Sequence, residues 1–427
     1  MTRYPQRTTL TIMLDGIVDV SRYVPIINTH HFQRLKGVRQ LDMAWVAYPD
    51  ANGTRFSHSV GTMQKFNKMF MYRDKNSPNT DMNEDEKELV KVASLLHDIP
   101  HPALAHLAGY VEQALTGKTH DDLLPEILEK YYEDPLKECG FSVKDIKKVT
   151  AVNNPMREII WSITGVDKLD YIQRDMHQIG LPAPNIDPLL EYTVFFKNRG
   201  LCAEVKNVNN VTSFIKSYCT AYKDVYWKKS CLIAQTMMRR VVWDGIENGV
   251  LSLKKMHEMQ DWEVSSAISN SKGKSRRARY LHKKILLREL YKTAVCLKIE
   301  GHANSEEIEG KYLAVAEVTE EEANKCLVES KNLKEIIELE ADLSRELGTD
   351  IIISTTPEPD RLKPKNPKVY SADREEIQNL SDIDPAFLRY QAEMPGYAWS
   401  VRVTVPEKDR KRIAENRDLV KHRLLFN

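Results

Sequence analysis

Four histidines, His97, His101, His106 and His120, fall within 24 consecutive residues of a 427-residue chain that holds 12 in all. His97-Asp98 closes an apolar helical stretch where Pro100 stops it, so two adjacent side chains are freed to face a cleft. His58 follows Arg55 in the first turn of a second helical stretch, and Asp167 lies on a third, GVDKLDYIQRD. Two imidazoles and two carboxylates without a thiolate suit Mn²⁺, Fe²⁺, Co²⁺, Ni²⁺ or Mg²⁺ better than structural zinc. One divalent ion so held polarises a phosphoryl oxygen or lowers the pKa of its bound water. His101, His106 and His120 would then donate hydrogen bonds or protons to phosphate oxygens and a leaving group. The competing reading is a set of ordinary cap and core histidines. The HD pair alone does not decide, since His120-Asp121 is a second one.

Asp167, Tyr171 and Asp175 are spaced four apart and share one helical face, with Lys168 beside them. A carboxylate for metal, a lysine for phosphate, an aromatic platform and a hydroxyl acceptor in one stripe suit a nucleotide. A solvated face with surface ion pairs explains the same spacing.

These residues need helices to hold them. Leu89, Val92, Ala93 and Leu96 predict an amphipathic helix after Asn83 that ends at Pro100. Phe56, Val60, Met63, Phe66 and Phe70 predict another, opened by the Asn52-Gly53-Thr54 turn. Residues 156–178 and 211–250 read as helices, and 264–284 as a loop running into a basic helix. Beyond 300, a helical stretch (320–347) mixes with strand-like 352–355 and 400–405, separated by the proline-punctuated loop 356–368. The class is mainly α, with a helical core over 1–285 and a smaller α/β lobe over 286–427.

Lys plus Arg is 62 and Asp plus Glu 61, so no global charge draws the chain to nucleic acid or an anionic membrane. No run approaches the roughly 18 apolar residues of a membrane span. Asp15 interrupts the N-terminal stretch where a signal peptide needs apolar residues. Six scattered cysteines without a C-x-x-C pair argue for reduced thiols. The expectation is an intracellular protein, cytoplasmic, or nuclear if the source is eukaryotic.

Five ordered segments, IINTHHFQRLKGVRQLD, TRFSHSVGT, LLHDIPHPALAH, VDKLDYIQRD and RELYKTA, are similar to those of a known family. The chain resembles the HD-domain deoxynucleoside triphosphate triphosphohydrolases, within them the SAM- and HD-domain dNTPase subgroup. The resemblance implies a helical HD metallohydrolase core that assembles as a dimer or tetramer. It implies one metal ion held by His58, His97, Asp98 and Asp167. Arg55, His101, His106 and Lys168 would contact the triphosphate, with His120 as general acid. Gln40 and Asp175 would read the 3′-hydroxyl, while Leu41, Tyr171 and Tyr226 would pack on the sugar and exclude a 2′-hydroxyl. Asn210 would face the base. Water would attack the α-phosphorus, releasing deoxynucleoside and inorganic triphosphate.

The chain departs from the pattern at three places in that site. Tyr218 stands for a phosphate-binding arginine, Tyr222 for a histidine, and Gly109 for an aspartate that pairs with the catalytic histidine. Lys216 or Lys223 could restore the charge, and Asp121 or Asp122 the pairing. For an activating nucleotide at a subunit junction Gln33, Arg279 and Lys283 match, and Lys36 stands for an arginine. Asn28 replaces the aspartate that recognises guanine, and an amide offers one acceptor and an unwanted donor where a carboxylate accepts twice. Another activating base, or none, is the expectation. Stepwise phosphate release, a different nucleotide, or a nucleotide- or RNA-binding regulator with a weak HD site are the alternatives. The basic cluster Lys272, Lys274, Arg276, Arg277, Arg279, Lys283 and Lys284 reads as a phosphate or single-strand site, or equally as a solvated face. With Tyr280 as its one nearby aromatic, the single-strand reading is weak.

Overall fold

The helices that carry the histidines start with caps the sequence supplies. In the computed structural model, which describes residues 7–71, 80–303, 311–359 and 366–426, helix Arg55–Phe66 begins at Thr54, whose hydroxyl accepts from the Ser57 N–H. Helix Glu84–Leu96 begins with a capping box between Asn83 and Glu86, and His97 sits at its C-terminal boundary. The predicted apolar faces are the buried ones. Val60, Met63 and Phe66 meet Val92, Leu95 and Leu96, together with Leu169 and Ile172 of helix Val166–Gln178.

A short antiparallel hairpin, β1 (Thr9–Ile12) and β2 (Gly16–Asp19), lies against this core and sends the Asp15 side chain inward from its turn. A second apolar cluster packs helix Ala105–Thr116 against Lys229–Glu247 and Arg276–Leu286 through Leu107, Val111, Met237, Val241 and Leu281.

Two four-stranded sheets complete the described chain. β3 (Thr193–Phe196) and β4 (Gly200–Glu204) belong to one; β5 (Lys292–Ile299), β6 (Ala314–Val318) and β7 (Ile352–Thr355) to the other. β8 (Lys368–Ser371) and β9 (Glu376–Asn379) return to the first, where β8 runs parallel to β4. β10 (Val401–Val405) enters the second between β5 and β7, antiparallel to both. Val369, Leu380, Phe387 and Met394 therefore join the helical core, whereas Val295, Leu297, Val401 and Val403 form the lobe's own core. The class is mainly α, as expected.

Three predicted segments divide. The 156–178 stretch breaks at Ser162–Gly165, where the chain approaches itself so closely that a β-carbon on Gly165 would sit 2.5 Å from the Ile160 carbonyl oxygen. The 211–250 stretch is Val208–Ala221, a π-helical turn Tyr222–Tyr226, then Lys229–Glu247 after an extended Lys228. Residues 264–269 are helical rather than loop. Helix Asp261–Ser269 is fixed by a Gln260–Glu263 capping box and buries only Asp261, Val264 and Ile268, too few apolar positions to stand out among its serines. Of the proline-rich loop, 360–365 lie outside the described residues.

Candidate active site

Two backbone features bring the histidines together. Leu104 and Ala105 have φ of 63° and 41°, a left-handed corner that turns the chain between His101 and His106. Asp261 anchors it: its carboxylate accepts from Leu104 N–H (2.7 Å) and from Arg39 N–H (3.0 Å), tying this corner to the turn that bears Gln40. Arg34, in the FQRL segment, donates to the His101 (2.5 Å) and Ile99 (3.3 Å) carbonyls and so satisfies the buried loop after His97.

His58 Nε2, His97 Nε2 and Asp167 Oδ1 converge, at 3.1 Å between the imidazoles and 3.2 and 3.5 Å from each to the carboxylate. The partners of the other ring nitrogens set the tautomers. His97 Nδ1 donates to the Ser94 carbonyl at 2.8 Å and His58 Nδ1 to Asp170 at 2.8 Å, so with both rings neutral the two Nε2 lone pairs would face each other. Lone pairs facing at that distance repel unless a positive charge lies between them. Adjacent ligands of an octahedral ion at about 2.1 Å are about 3.0 Å apart, so the three atoms fit a divalent cation. Without such an ion a proton can take the same place, since Asp167 and Asp170 outweigh burial and push the pKa of His58 up to about 10.

Asp98, the fourth ligand the sequence suggested, stands beside this set. Its carboxylate is drawn to Arg55 (2.6 Å) and His101 (3.2 Å) and stays 3.8 Å from both imidazole Nε2 atoms. Arg55 holds Asp98 well below the usual carboxylate range despite burial. Burial and Arg55 depress His101 well below the imidazole range. His106 opens onto the cavity yet is crowded by protein, and it too is depressed, by that crowding, Arg55 and His120. The three rings form one cluster, His101 stacked on His120 at 5.0 Å and edge-on to His106 at 4.5 Å. His120 Nε2 lies 3.2 Å from Asp121, while Asp122 is used to cap Thr119, so Asp121 is its carboxylate. A side chain at Gly109 would meet open space.

These groups line a cavity of about 350 Å³ together with Gln40, Leu41, Lys168, Tyr171, Asp175 and Tyr226. The π-helical turn brings Tyr222, Tyr226 and Trp227 to one wall, and the Tyr222 ring packs tilted against Tyr218 and Trp227 at 4.6 and 4.8 Å. Tyr222 in this wall and Tyr218 packed against it are neutral phenols, raised further by burial, where the resemblance expects cations. The Tyr226 hydroxyl donates to Asp175 at 2.8 Å. Asn210 is not brought to the cavity: it is exposed on the first turn of its helix and donates back to Asn207. Asp42, Tyr110, Trp161, Gln235 and Arg239 also line the cavity, and no spacing singles them out. Asp170 and Asp261, which position others, were hidden because their partners are distant in sequence.

Asn28, Gln33 and Lys36 gather around one turn, where Gln33 donates to the Ile27 carbonyl and accepts from Lys36. Arg279 and Lys283 lie exposed on helix Arg276–Leu286, and no hydrogen bond or ion pair joins the two groups among the described residues. Within the basic cluster Arg277 is paired with Asp244 and Asp350, and Lys284 with Glu289.

Burial pushes Asp175 from 3.8 up to about 7, against the Tyr226 hydrogen bond. A carboxyl with a raised folded pKa contributes stability below its unfolded pKa, and that contribution is lost as pH rises through the folded value. Asp175→Asn is therefore expected to gain on wild type by up to about 1.4 kcal/mol per pH unit between pH 4 and 7. Urea unfolding in EDTA at pH 4.5 and pH 8 measures it; an unchanged difference would contradict the assignment.

Helical architecture and convergent ligands together define an HD-type metallohydrolase site. Residues 55–177 match the HD domain and 189–415 the HD associated region, and the chain belongs to the HD-domain phosphohydrolase family that carries this region. It is 27% identical over 397 residues to an uncharacterized protein of Methanocaldococcus jannaschii, covering 92% of this chain and 77% of that protein. It is 25% identical over 317 residues to the deoxynucleoside triphosphate triphosphohydrolase SAMHD1 homolog of Dictyostelium discoideum, covering 68% of this chain and 61% of that protein. Human deoxynucleoside triphosphate triphosphohydrolase SAMHD1 is 24% identical over 261 residues, 50% of this chain and 41% of its own length. The fold is shared with a hypothetical protein from Aquifex aeolicus (TM-score 0.69, 18% identity, covering 96% of this chain and 99% of that one). It is shared also with a phosphohydrolase from Bacteroides thetaiotaomicron (TM-score 0.68, 15% identity, 94% and 100%). Among the described residues no helix is long and apolar enough to cross a membrane.

Proposed function

We propose that the protein hydrolyses deoxynucleoside triphosphates to deoxynucleoside and inorganic triphosphate with one divalent ion. The observation that carries this reading is the convergence of His58, His97 and Asp167 beside the stacked His101, His106 and His120 in one cavity. When bound, the ion supplies Lewis-acid polarisation of the phosphoryl group and an activated water. Neutral His101 and His106 donate to phosphate oxygens, and Arg55 and Lys168 add charge. His120, held by Asp121, hands its proton to the 5′-oxygen as the bond from that oxygen to the α-phosphorus breaks. Gln40 and Asp175 accept from the sugar hydroxyl, and Leu41, Tyr171 and Tyr226 pack against the ring. The relatives named as dNTP triphosphohydrolases support the substrate class.

A second reading, stepwise phosphate release or another nucleotide, is favoured by the neutral Tyr222 in the cavity wall and the Tyr218 packed against it. Incubating the protein with four dNTPs and four NTPs, in Mn²⁺, Mg²⁺ or EDTA, separates them on an anion column. Nucleoside plus triphosphate, absent in EDTA, supports the first; orthophosphate or a nucleoside mono- or diphosphate supports the second. Stoichiometric metal without turnover would instead favour a nucleotide- or RNA-binding regulator.

Assembly into a homo-dimer or homo-tetramer, driven by an activating nucleotide, belongs to the same proposal. The exposed Arg276, Arg279 and Lys283 support a phosphate contact. Asn28 cannot accept twice from guanine, a difference typically worth about 1–3 kcal/mol. Mass and rate followed during titration with GTP, ATP and dATP are expected to show no strict GTP requirement, and such a requirement would refute this.

A further inference from the structure

The cavity wall holds acceptors that the protein leaves unused. Gln40 Oε1, Asp42 Oδ1 and Asp175 Oδ1 are buried without hydrogen-bond partners, and all three side chains line the cavity. Asp175 is only 2% exposed. Of the nearby donors, Gln235 is committed to the Tyr226 carbonyl at 3.2 Å and Lys168 donates to the Trp161 carbonyl at 2.8 Å, while Arg55 Nε and Arg239 Nε, though buried without partners themselves, make no hydrogen bond to these acceptors. A buried acceptor without a donor is unfavourable, so three on one wall call for a ligand that brings donors.

Asp42 is the acceptor that neither spacing nor resemblance picked out. Its φ is +44°, in the left-handed region where glycine is the ordinary occupant. The turn is fixed on both sides, by Gln40 N–H to the Gly53 carbonyl (2.9 Å) and Ala44 N–H to the Leu41 carbonyl (2.8 Å). A glycine there would relieve the backbone, yet the chain keeps a carboxyl directed at the cavity. It is not one of the three metal-competent ligands; burial pushes its carboxyl up to about 7, so above that pH it accepts from a donor and repels a phosphate.

We propose that Asp42 is a specificity-determining residue whose carboxyl accepts a hydrogen bond from an O–H or N–H donor on the nucleoside part of the substrate. This rests on the nucleotide reading of the site. The donor is a sugar hydroxyl or a base amine, and a panel of nucleotides tells them apart.

The experiment compares wild type with Asp42→Gly, which suits the backbone, and Asp42→Asn, which keeps one acceptor. Binding of four dNTPs and four NTPs is measured calorimetrically with Ca²⁺, and kcat and KM with Mn²⁺. Asp42→Gly is expected to fold at least as stably and to weaken binding about 5- to 100-fold, with KM rising and kcat held. Asn is expected to recover part of the loss. A loss confined to NTPs places the donor at the 2′-hydroxyl, one confined to A, G and C nucleotides on an exocyclic amine, and a loss across all eight on the 3′-hydroxyl. Unchanged binding throughout, a lost equivalent of bound metal, or a wild type that binds none of the eight would overturn the proposal. Wild type that binds but does not hydrolyse would sink the phosphohydrolase reading while leaving the Asp42 comparison decisive.

Discussion

His97→Ala is expected to leave a folded protein that no longer retains a stoichiometric divalent ion and turns nucleotide over at least about 10³-fold more slowly. The imidazole supplies one of the three convergent atoms that could hold an ion, and its orientation is fixed from behind by the Ser94 carbonyl at the end of helix Glu84–Leu96. Removing it leaves His58 and Asp167, too few to hold an ion against water. Asp98→Asn makes the informative contrast. Because Asp98 stands 3.8 Å from both imidazole Nε2 atoms and is bound to Arg55 and His101, its amide is expected to lower metal affinity less than His97→Ala does. Metal content by mass spectrometry, with turnover on the same samples, reads both. Full metal occupancy in His97→Ala would remove the site assignment, and equal losses in the two variants would make Asp98 a ligand of the same rank.

The residues legible in the sequence were those whose chemistry is local. His97-Asp98 before a proline, Thr54 before Arg55 and Asn83 before Glu86 each announce a helix end and a side chain released there. The residues that stayed hidden act across long separations. Asp261 reaches Leu104 over 157 positions and Arg39 over 222, and nothing near Asp261 marks it as an anchor for a left-handed corner. Asp42 and Arg239 enter the cavity from a turn and a buried helix face whose local patterns suit packing equally well. Asn210 failed for the opposite reason. Its position fits a motif, but its side chain is exposed outside the cavity and donates to Asn207 within its own first turn. The lobe boundary was blurred in the same way, since β8 pairs with β4 across the whole lobe and local texture cannot report such a pairing.

Asp170→Asn is expected to lower metal affinity about 10- to 100-fold and to cost about 3–5 kcal/mol of stability, two effects with separable causes. Asp170 is fully buried and accepts from His58 Nδ1 (2.8 Å) and Arg174 Nε (2.9 Å), while Lys65 Nζ lies 3.5 Å away. Arg174 and Lys65 also meet Asp15, at 2.6 and 2.5 Å, and Arg174 donates to the Met13 carbonyl. The hairpin turn is thus wired through two cations to the carboxylate that fixes the tautomer of His58. An amide at 170 provides one oxygen for several donors and leaves buried positive charge under-compensated, which accounts for the stability loss. The metal effect arises because an amide N–H facing His58 Nδ1 would favour the other tautomer and place a proton on Nε2. Asp15→Asn separates the two. It removes charge from the same cluster, so a stability loss of similar size is expected, but it never touches His58, so metal affinity is expected to fall much less. Unfolding free energies and calorimetric metal affinities for both variants test this, and an Asp170→Asn protein that is destabilised yet binds metal like wild type would show that Asp170 serves the core alone.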